Sequence, residues 1–125
     1  MTLRCVIVDD SPALLRAATK LRESEGLAVV GVAATGDDAL RLMEELQPDV
    51  MLIDIDLSGE SGFEVVRRLE GVRGGRAPSI LISTHDQTEF GALIAASPAL
   101  GFLPKSDLSA AAIRRLLARA QDERS

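Results

Sequence analysis

Five short apolar runs rich in β-branched residues alternate with amphipathic stretches, and this alternation limits the fold more than any other feature of the chain. The runs are Arg4–Asp9, Ala28–Ala33, Val50–Asp54, Ser79–Ser83 and Ala99–Leu103, and their length and composition read as strands. The stretches between them have helical spacing. Ser11 and Pro12 form a helix start, an N-cap followed by a first-turn proline. The apolar stripe Leu14, Leu15, Ala18 and Leu21 comes next, with Gly26 as the stop. A second stripe is Ala39, Leu40, Leu42, Met43 and Leu46, ending before Pro48, and a third is Phe63, Val65, Val66 and Leu69, fraying into Gly71–Gly75. A fourth helix is expected over about Gln87–Ala96, and a fifth from Ser106 or Asp107, presenting Ile113, Leu116, Leu117 and Ala120. Strands and helices in strict alternation predict an α/β fold with a parallel sheet and right-handed crossovers.

The length, 125 residues, suits one domain, read as residues 1–125 with a core of about 4–120 and a loose charged tail at 121–125. Aromatic residues make up only 2% of a chain that is 46% hydrophobic. The core must therefore come from Val, Leu, Ile and Ala, as parallel strands buried on both faces require. A net charge of −5 argues against direct binding to nucleic acid. Cys5 is the single cysteine. It reads as a reduced, buried, structural thiol, which fits a cytoplasmic setting. The N-terminal apolar run is too short for a signal peptide or a membrane span, and Gly71–Ala77 reads as a surface loop.

In doubly wound sheets, ligands bind beyond the carboxyl ends of the strands. The first strand ends at Asp9-Asp10 and the third at Asp54, with Asp56 close behind. The fourth ends at Ser83-Thr84, and Lys105 follows the fifth. Each residue alone has an ordinary reading. Asp9 can cap a helix, Ser83 or Thr84 can close a turn, and Lys105 can be a solvated surface lysine. Together they place carboxylates, a hydroxyl and an ammonium along one edge. Clustered carboxylates repel unless a cation offsets them, and all-oxygen ligation selects Mg²⁺ or Mn²⁺ over Zn²⁺. That is the equipment for phosphoryl transfer to a carboxylate, with the lysine as a second positive charge and the hydroxyl as a donor to a phosphoryl oxygen.

The linked segments VIVDDSP, DVMLIDIDLSGESGFEV, PSILIST and GFLPKS resemble the response-regulator receiver domain of two-component signalling, over Arg4 to about Ala120. The resemblance implies a flavodoxin-like (βα)5 fold with strand order 2-1-3-4-5. It implies that Asp54 is the phosphoacceptor and that Asp10 holds Mg²⁺ directly, Asp9 mostly through water. The Asp56 backbone carbonyl would be a further ligand, Lys105 the phosphoryl-binding lysine and Phe102 the aromatic switch. The family's hydroxyl lies 22 residues before its lysine, which selects Ser83 rather than Thr84. His85 then stands two residues beyond, either a solvated loop residue or one that affects water at the mouth of the site. The implied partners are a histidine kinase or phosphotransfer protein, and a second copy docked through the face of the fourth helix, fifth strand and fifth helix or that of the first and fifth helices. The chain is then a phosphoacceptor that assists its own chemistry rather than a turnover enzyme.

Three features depart from the family pattern. Ser58 stands where a proline is usual. Ser106 rather than proline follows Lys105, which leaves a cis bond there without its usual cause. Pro104 removes a ladder donor, tolerable only at a sheet edge, where the implied strand order puts it. The segments LAVVGVAATGDDAL and GFLPKSDLS resemble receivers of regulators with helix-turn-helix output domains. Two rival readings stand beside this one. Asp54-Ile55-Asp56-Leu57-Ser58 also looks like the motif of haloacid-dehalogenase-type phosphatases, which carry it on the first strand rather than the third. A degenerate receiver used only for binding would not need the complete acid set or Lys105.

Overall fold

The computed structural model describes residues 2–11, 16, 26–57, 59–72, 77–84 and 90–124, with the side chains of 120–124 left aside. Five parallel strands form one sheet: β1 (Leu3–Val8), β2 (Leu27–Ala33), β3 (Val50–Asp54), β4 (Ser79–Ser83) and β5 (Gly101–Pro104). Their order is β2-β1-β3-β4-β5, the flavodoxin-like arrangement expected from the sequence. The helices are α1 (Gly36–Leu46), α2 (Gly62–Glu70), α3 (Gly91–Ala96) and α4 (Ala110–Arg124). The helix expected after Ser11 and Pro12 lies outside the described residues. A two-residue hairpin that the strand pattern did not foresee, Asp56–Leu57 against Glu60–Ser61, joins β3 to α2.

The central strands are buried on both faces, and period two sorts their side chains. Val6, Val8, Met51, Ile53, Leu81 and Phe102 face one way, toward Ala39 and Met43 of α1 and Phe63, Val65, Val66 and Leu69 of α2. Cys5, Ile7, Val50, Leu52, Ile80 and Ile82 face the other way, toward Ala110 and Ile113 of α4. Arg114 of α4 donates to the Gly26 carbonyl at 3.0 Å and so ties that layer to the head of β2. Burial pushes the Cys5 thiol up to about 12, in keeping with a structural role.

Local chemistry sets the helix ends. Thr35 caps α1 by accepting from the Asp38 N–H, and Gln47, left-handed at φ 44°, stops it before Pro48. Ser61 caps α2 by accepting from the Phe63 N–H at 3.2 Å. The fifth helix of the sequence pattern begins later than expected. Lys105–Asp107 form a single 3₁₀ turn and Leu108 is extended. Ser109 then caps α4 by accepting from the Ala112 N–H at 3.0 Å. A hydroxyl placed one residue before Ala110 is a better cap than Ser106, which lies inside the 3₁₀ turn. The stretch 121–124, expected to be loose, continues α4. The last strand includes Pro104 and is an edge strand, where the missing N–H costs no ladder bond. Among the described residues no peptide bond is cis, Lys105–Ser106 included.

The start of α2 is pressed against the end of β3. The Gly62 N–H donates to the Ile55 carbonyl at 2.8 Å. A Cβ at position 62 would fall on the Asp54 carbonyl oxygen and 2.8 Å from Ile55 Cα. Gly62→Ala should therefore cost about 1–3 kcal/mol or more, the range for overpacking. Gly91→Ala, where a Cβ meets nothing within 4 Å, should instead stabilise by about 0.5–1 kcal/mol. Urea unfolding of the two variants beside wild type checks the contrast, and equal effects would contradict the packing argument.

Candidate functional site

The strand order reverses between β1 and β3, because the chain leaves β1 for β2 on one side and returns to β3 on the other. A crevice at such a switch point is where doubly wound folds bind ligands. Asp9 follows the last residue of β1 directly, and Asp54 is the last residue of β3. Asp9 is fully buried and Asp54 is 4% exposed, while Asp10 lies at the surface. Carboxylate oxygens of Asp9, Asp10 and Asp54 lie within 4.8 Å of one another.

Lys105 enters this cluster from the far end of β5. Its Nζ is 3.1 Å from Asp54 Oδ2 and 2.8 Å from Asp9 Oδ2. The other Asp54 oxygen, Oδ1, accepts from the Asp56 N–H at 3.1 Å. Asp9 Oδ1 accepts from the Ser11 N–H at 2.7 Å, so Asp9 also has the capping role that its position suggests. The fully buried Asp9 thus meets the Lys105 ammonium through Oδ2 as an ion pair. Burial pushes the Asp54 carboxyl above its ordinary value, while the Asp56 N–H and Lys105 pull it down and the Asp9 charge pushes it further up. Burial alone would lower the Lys105 ammonium, but the carboxylates of Asp9 and Asp54 outweigh it and its pKa ends above the ordinary value.

Three carboxylates against one ammonium leave a charge of −2 in one crevice. The donors are all oxygen, and two of the three carboxylates are almost wholly buried. These residues fit a hard divalent cation such as Mg²⁺.

Ser83 ends β4 and is buried, whereas Thr84 beyond it is exposed. Ser83 pairs in register with Pro104, the residue before Lys105, so it stands at the same carboxyl edge. Phe102 is buried in the layer on the α1 and α2 side of the sheet, two register positions below Ser83 and on the same face. Phe90, at the start of α3, packs its ring 6.3 Å from that of Phe63 in this layer. His85 and Ser58 lie outside the described residues.

Residues 5–118 match the family model described as the response regulator receiver domain. The chain belongs to that family. The receiver is 41% identical over 68 residues to the response regulator GacA of Pseudomonas aeruginosa, a stretch that is 54% of this chain and 32% of GacA. It is 36% identical over 85 residues to the protein PilH of the same organism, 67% of this chain and 69% of PilH. Among solved structures it resembles a two-component response regulator of the LuxR family from Aurantimonas, with a TM-score of 0.79 and 30% identity, over 94% of this chain and 84% of that one. The chain spans between 23% and 50% of the length of the first four curated relatives it matches. Asp54-Ile55-Asp56 sits at the end of the third strand, as the receiver pattern has it and the phosphatase reading does not. Among the described residues no helix is long and apolar enough to cross a membrane.

No sequence motif marks Glu60. In the structure its carboxylate accepts from the Gly36 N–H at the start of α1. A charged residue in a stretch of turn residues was the signal, and it is a weak one.

In the receiver without divalent metal, Asp54 should titrate above 3.8, the ordinary aspartate value. A carboxyl with a raised folded-state pKa contributes stability that is lost as pH rises through that pKa. Asp54→Asn should therefore be more stable than wild type at neutral pH in EDTA, with the gain fading toward low pH. Carboxyl ¹³C titration and thermal melts across pH check both statements. A normal or depressed Asp54 value would contradict the burial argument.

Proposed function

We propose that this receiver, residues 1–125 acting as one unit, is a phosphoacceptor switch in which Asp54 takes a phosphoryl group in the presence of Mg²⁺. The observation that carries the reading is the Lys105 ammonium lodged between Asp54 Oδ2 and Asp9 Oδ2, at 3.1 and 2.8 Å, within a cluster of three carboxylates. Asp9, Asp10, Asp54 and the Asp56 backbone carbonyl are the residues that would hold Mg²⁺, or Mn²⁺ in its place. The metal would supply charge neutralisation for the transferring phosphoryl oxygens.

The chain's own groups do the rest. The Asp56 N–H fixes Asp54 Oδ1 and Lys105 fixes Oδ2, so the nucleophile is oriented before a donor arrives. A histidine kinase or phosphotransfer protein presents a phosphohistidine, or a small acyl phosphate presents its anhydride. The donor's P–N or P–O bond breaks, a bond forms from phosphorus to the Asp54 carboxylate, and imidazole or carboxylate leaves. Lys105 can follow the new charge outward onto the phosphoryl oxygens. Hydrolysis by water later returns Asp54, so the chain is the substrate of this chemistry and assists it without acting as a turnover enzyme.

Ser83 is the switch hydroxyl in this account. It donates to a phosphoryl oxygen, and its shift leaves room into which Phe102, on the same face, rotates. The surface formed by α3, β5 and α4 then changes, as a population shift bounded by the phosphoryl group's preference for one state. That surface, or the one made by α4 with the helix following β1, would receive a second copy of the chain. The setting is the cytoplasm, and this chain does not itself bind nucleic acid.

Treatment with acetyl phosphate and Mg²⁺ should add the mass of one phosphoryl group to wild type and none to Asp54→Asn, as read by intact mass. EDTA and Asp10→Ala should each abolish the adduct. Full labelling without divalent metal would exclude this site. Mg²⁺ at ten times its dissociation constant should stabilise wild type by about 1.4 kcal/mol and leave Asp10→Ala unchanged in thermal melts.

Ser83→Ala should take up phosphate nearly normally but lose the phosphate-induced NMR shifts around Phe102, with Thr84→Ala the milder variant. The reverse ranking would show that Thr84 is the switch hydroxyl.

A further inference from the structure

The hairpin that leaves the phosphorylation site is tied to a neighbouring helix by a partly buried contact at its far strand. Asp56 opens the hairpin, and its N–H is held by Asp54 Oδ1. Its partner across the hairpin is Ser61, and Leu57 pairs with Glu60. The Glu60 carboxylate turns away from the hairpin and accepts from the Gly36 N–H, the first residue of α1. An anion at a helix N-terminus is favoured there by the unsatisfied N–H groups and the helix dipole. Arg68 of α2 reaches the same corner and pairs with Asp37 in the first turn of α1 at 2.5 Å.

Position 36 is shaped for this contact. A Cβ there would lie 2.6 Å from Glu60 Oε1, 2.8 Å from an Arg68 guanidinium nitrogen and 3.1 Å from Val65. A side chain at position 36 would push the Glu60 carboxylate and the Arg68 guanidinium away from the positions they hold at the helix start. The corner thus joins the segment carrying Asp56 to two helices at once, through groups outside the cluster of Asp9, Asp10 and Asp54.

We propose that Glu60 is a positioning residue of the phosphorylation site. By anchoring the hairpin on the N-terminus of α1, it fixes the Asp56 backbone, whose N–H holds Asp54 and whose carbonyl is assigned above to the metal. The inference rests on that reading of the site. Its consequence is specific: losing the anchor loosens one metal ligand and the Asp54 orientation without removing any charged group from the crevice. Glu60→Gln keeps an oxygen that can accept from the Gly36 N–H, and Glu60→Ala does not.

The test is an NMR titration with Mg²⁺ on wild type, Glu60→Gln and Glu60→Ala, with amide hydrogen exchange at Asp56 and the acetyl phosphate rate measured on the same samples. Glu60→Ala should bind Mg²⁺ roughly tenfold more weakly, the low end of the losses seen when outer-shell support is removed. Its Asp56 amide should exchange faster. Saturating Mg²⁺ should restore most of its phosphorylation rate, and Glu60→Gln should keep most of the wild-type affinity. If Glu60→Ala is less stable but binds Mg²⁺ as wild type does, Glu60 is a helix cap only and the inference is overturned. If Glu60→Gln is as weak as Glu60→Ala, the hydrogen-bonded anchor is wrong. A wild type that binds no Mg²⁺ defeats the reading of the site and this inference together, whereas equal constants in wild type and Glu60→Ala defeat the inference alone.

Discussion

Two carboxylates with almost no access to solvent stand at the ends of adjacent strands, and the lysine ammonium between them makes that arrangement tolerable. Asp9 and Asp54 are held there by β1 and β3, which pair over Cys5–Val8 and Val50–Ile53. Lys105 comes from the opposite edge of the sheet, 51 residues beyond Asp54. Removing water from unpaired like charges is costly in a low-dielectric crevice. A receiver sequence that kept the two acids and lost the lysine would therefore have to protonate one of them or open the site. The site is thus held under electrostatic tension by closely packed strands.

The rest of the architecture packs closely around that site and more lightly on its far side. Both faces of the central strands are packed with aliphatic side chains, which fixes the positions of Asp9 and Asp54. Gly62 seats the start of α2 directly on the Asp54–Ile55 backbone, and Glu60 binds the intervening hairpin to α1. On the opposite side, α3 has only six residues, no side-chain cap and no buried residue of its own. Among the described residues, Phe90 and Ile94 pack it against the layer that holds Phe102. Close packing beside Asp54 thus contrasts with a short helix that buries no residue of its own.

The strands were legible because aliphatic runs of strand length, with Phe102 the one aromatic among them, admit few other readings, and their order followed from the resemblance to receiver domains. Asp9, Asp54, Ser83 and Lys105 were legible because each stands at or just beyond a strand end, and the structure brings Asp9, Asp54 and Lys105 within contact distance. Helix starts were less so. Ser106, Asp107 and Ser109 are all capping residue types, and only the extended conformation of Leu108 decides for Ser109. The hairpin at Asp56–Ser61 was hidden because its strands are two residues long and carry no periodicity. Glu60 was hidden for a related reason. Its partner is a backbone N–H 24 residues away, and no sequence pattern marks a residue that binds backbone.

The most direct test of the central claim is to locate the phosphoryl group chemically. Acetyl phosphate–treated protein with Mg²⁺ would be reduced with borohydride, which converts an aspartyl phosphate to homoserine, then digested and sequenced by tandem mass spectrometry. The account predicts homoserine at position 54 and unmodified aspartate at Asp9, Asp10 and Asp56. Homoserine at any of those three, or a stable phosphate on a hydroxyl residue such as Ser83, would contradict it.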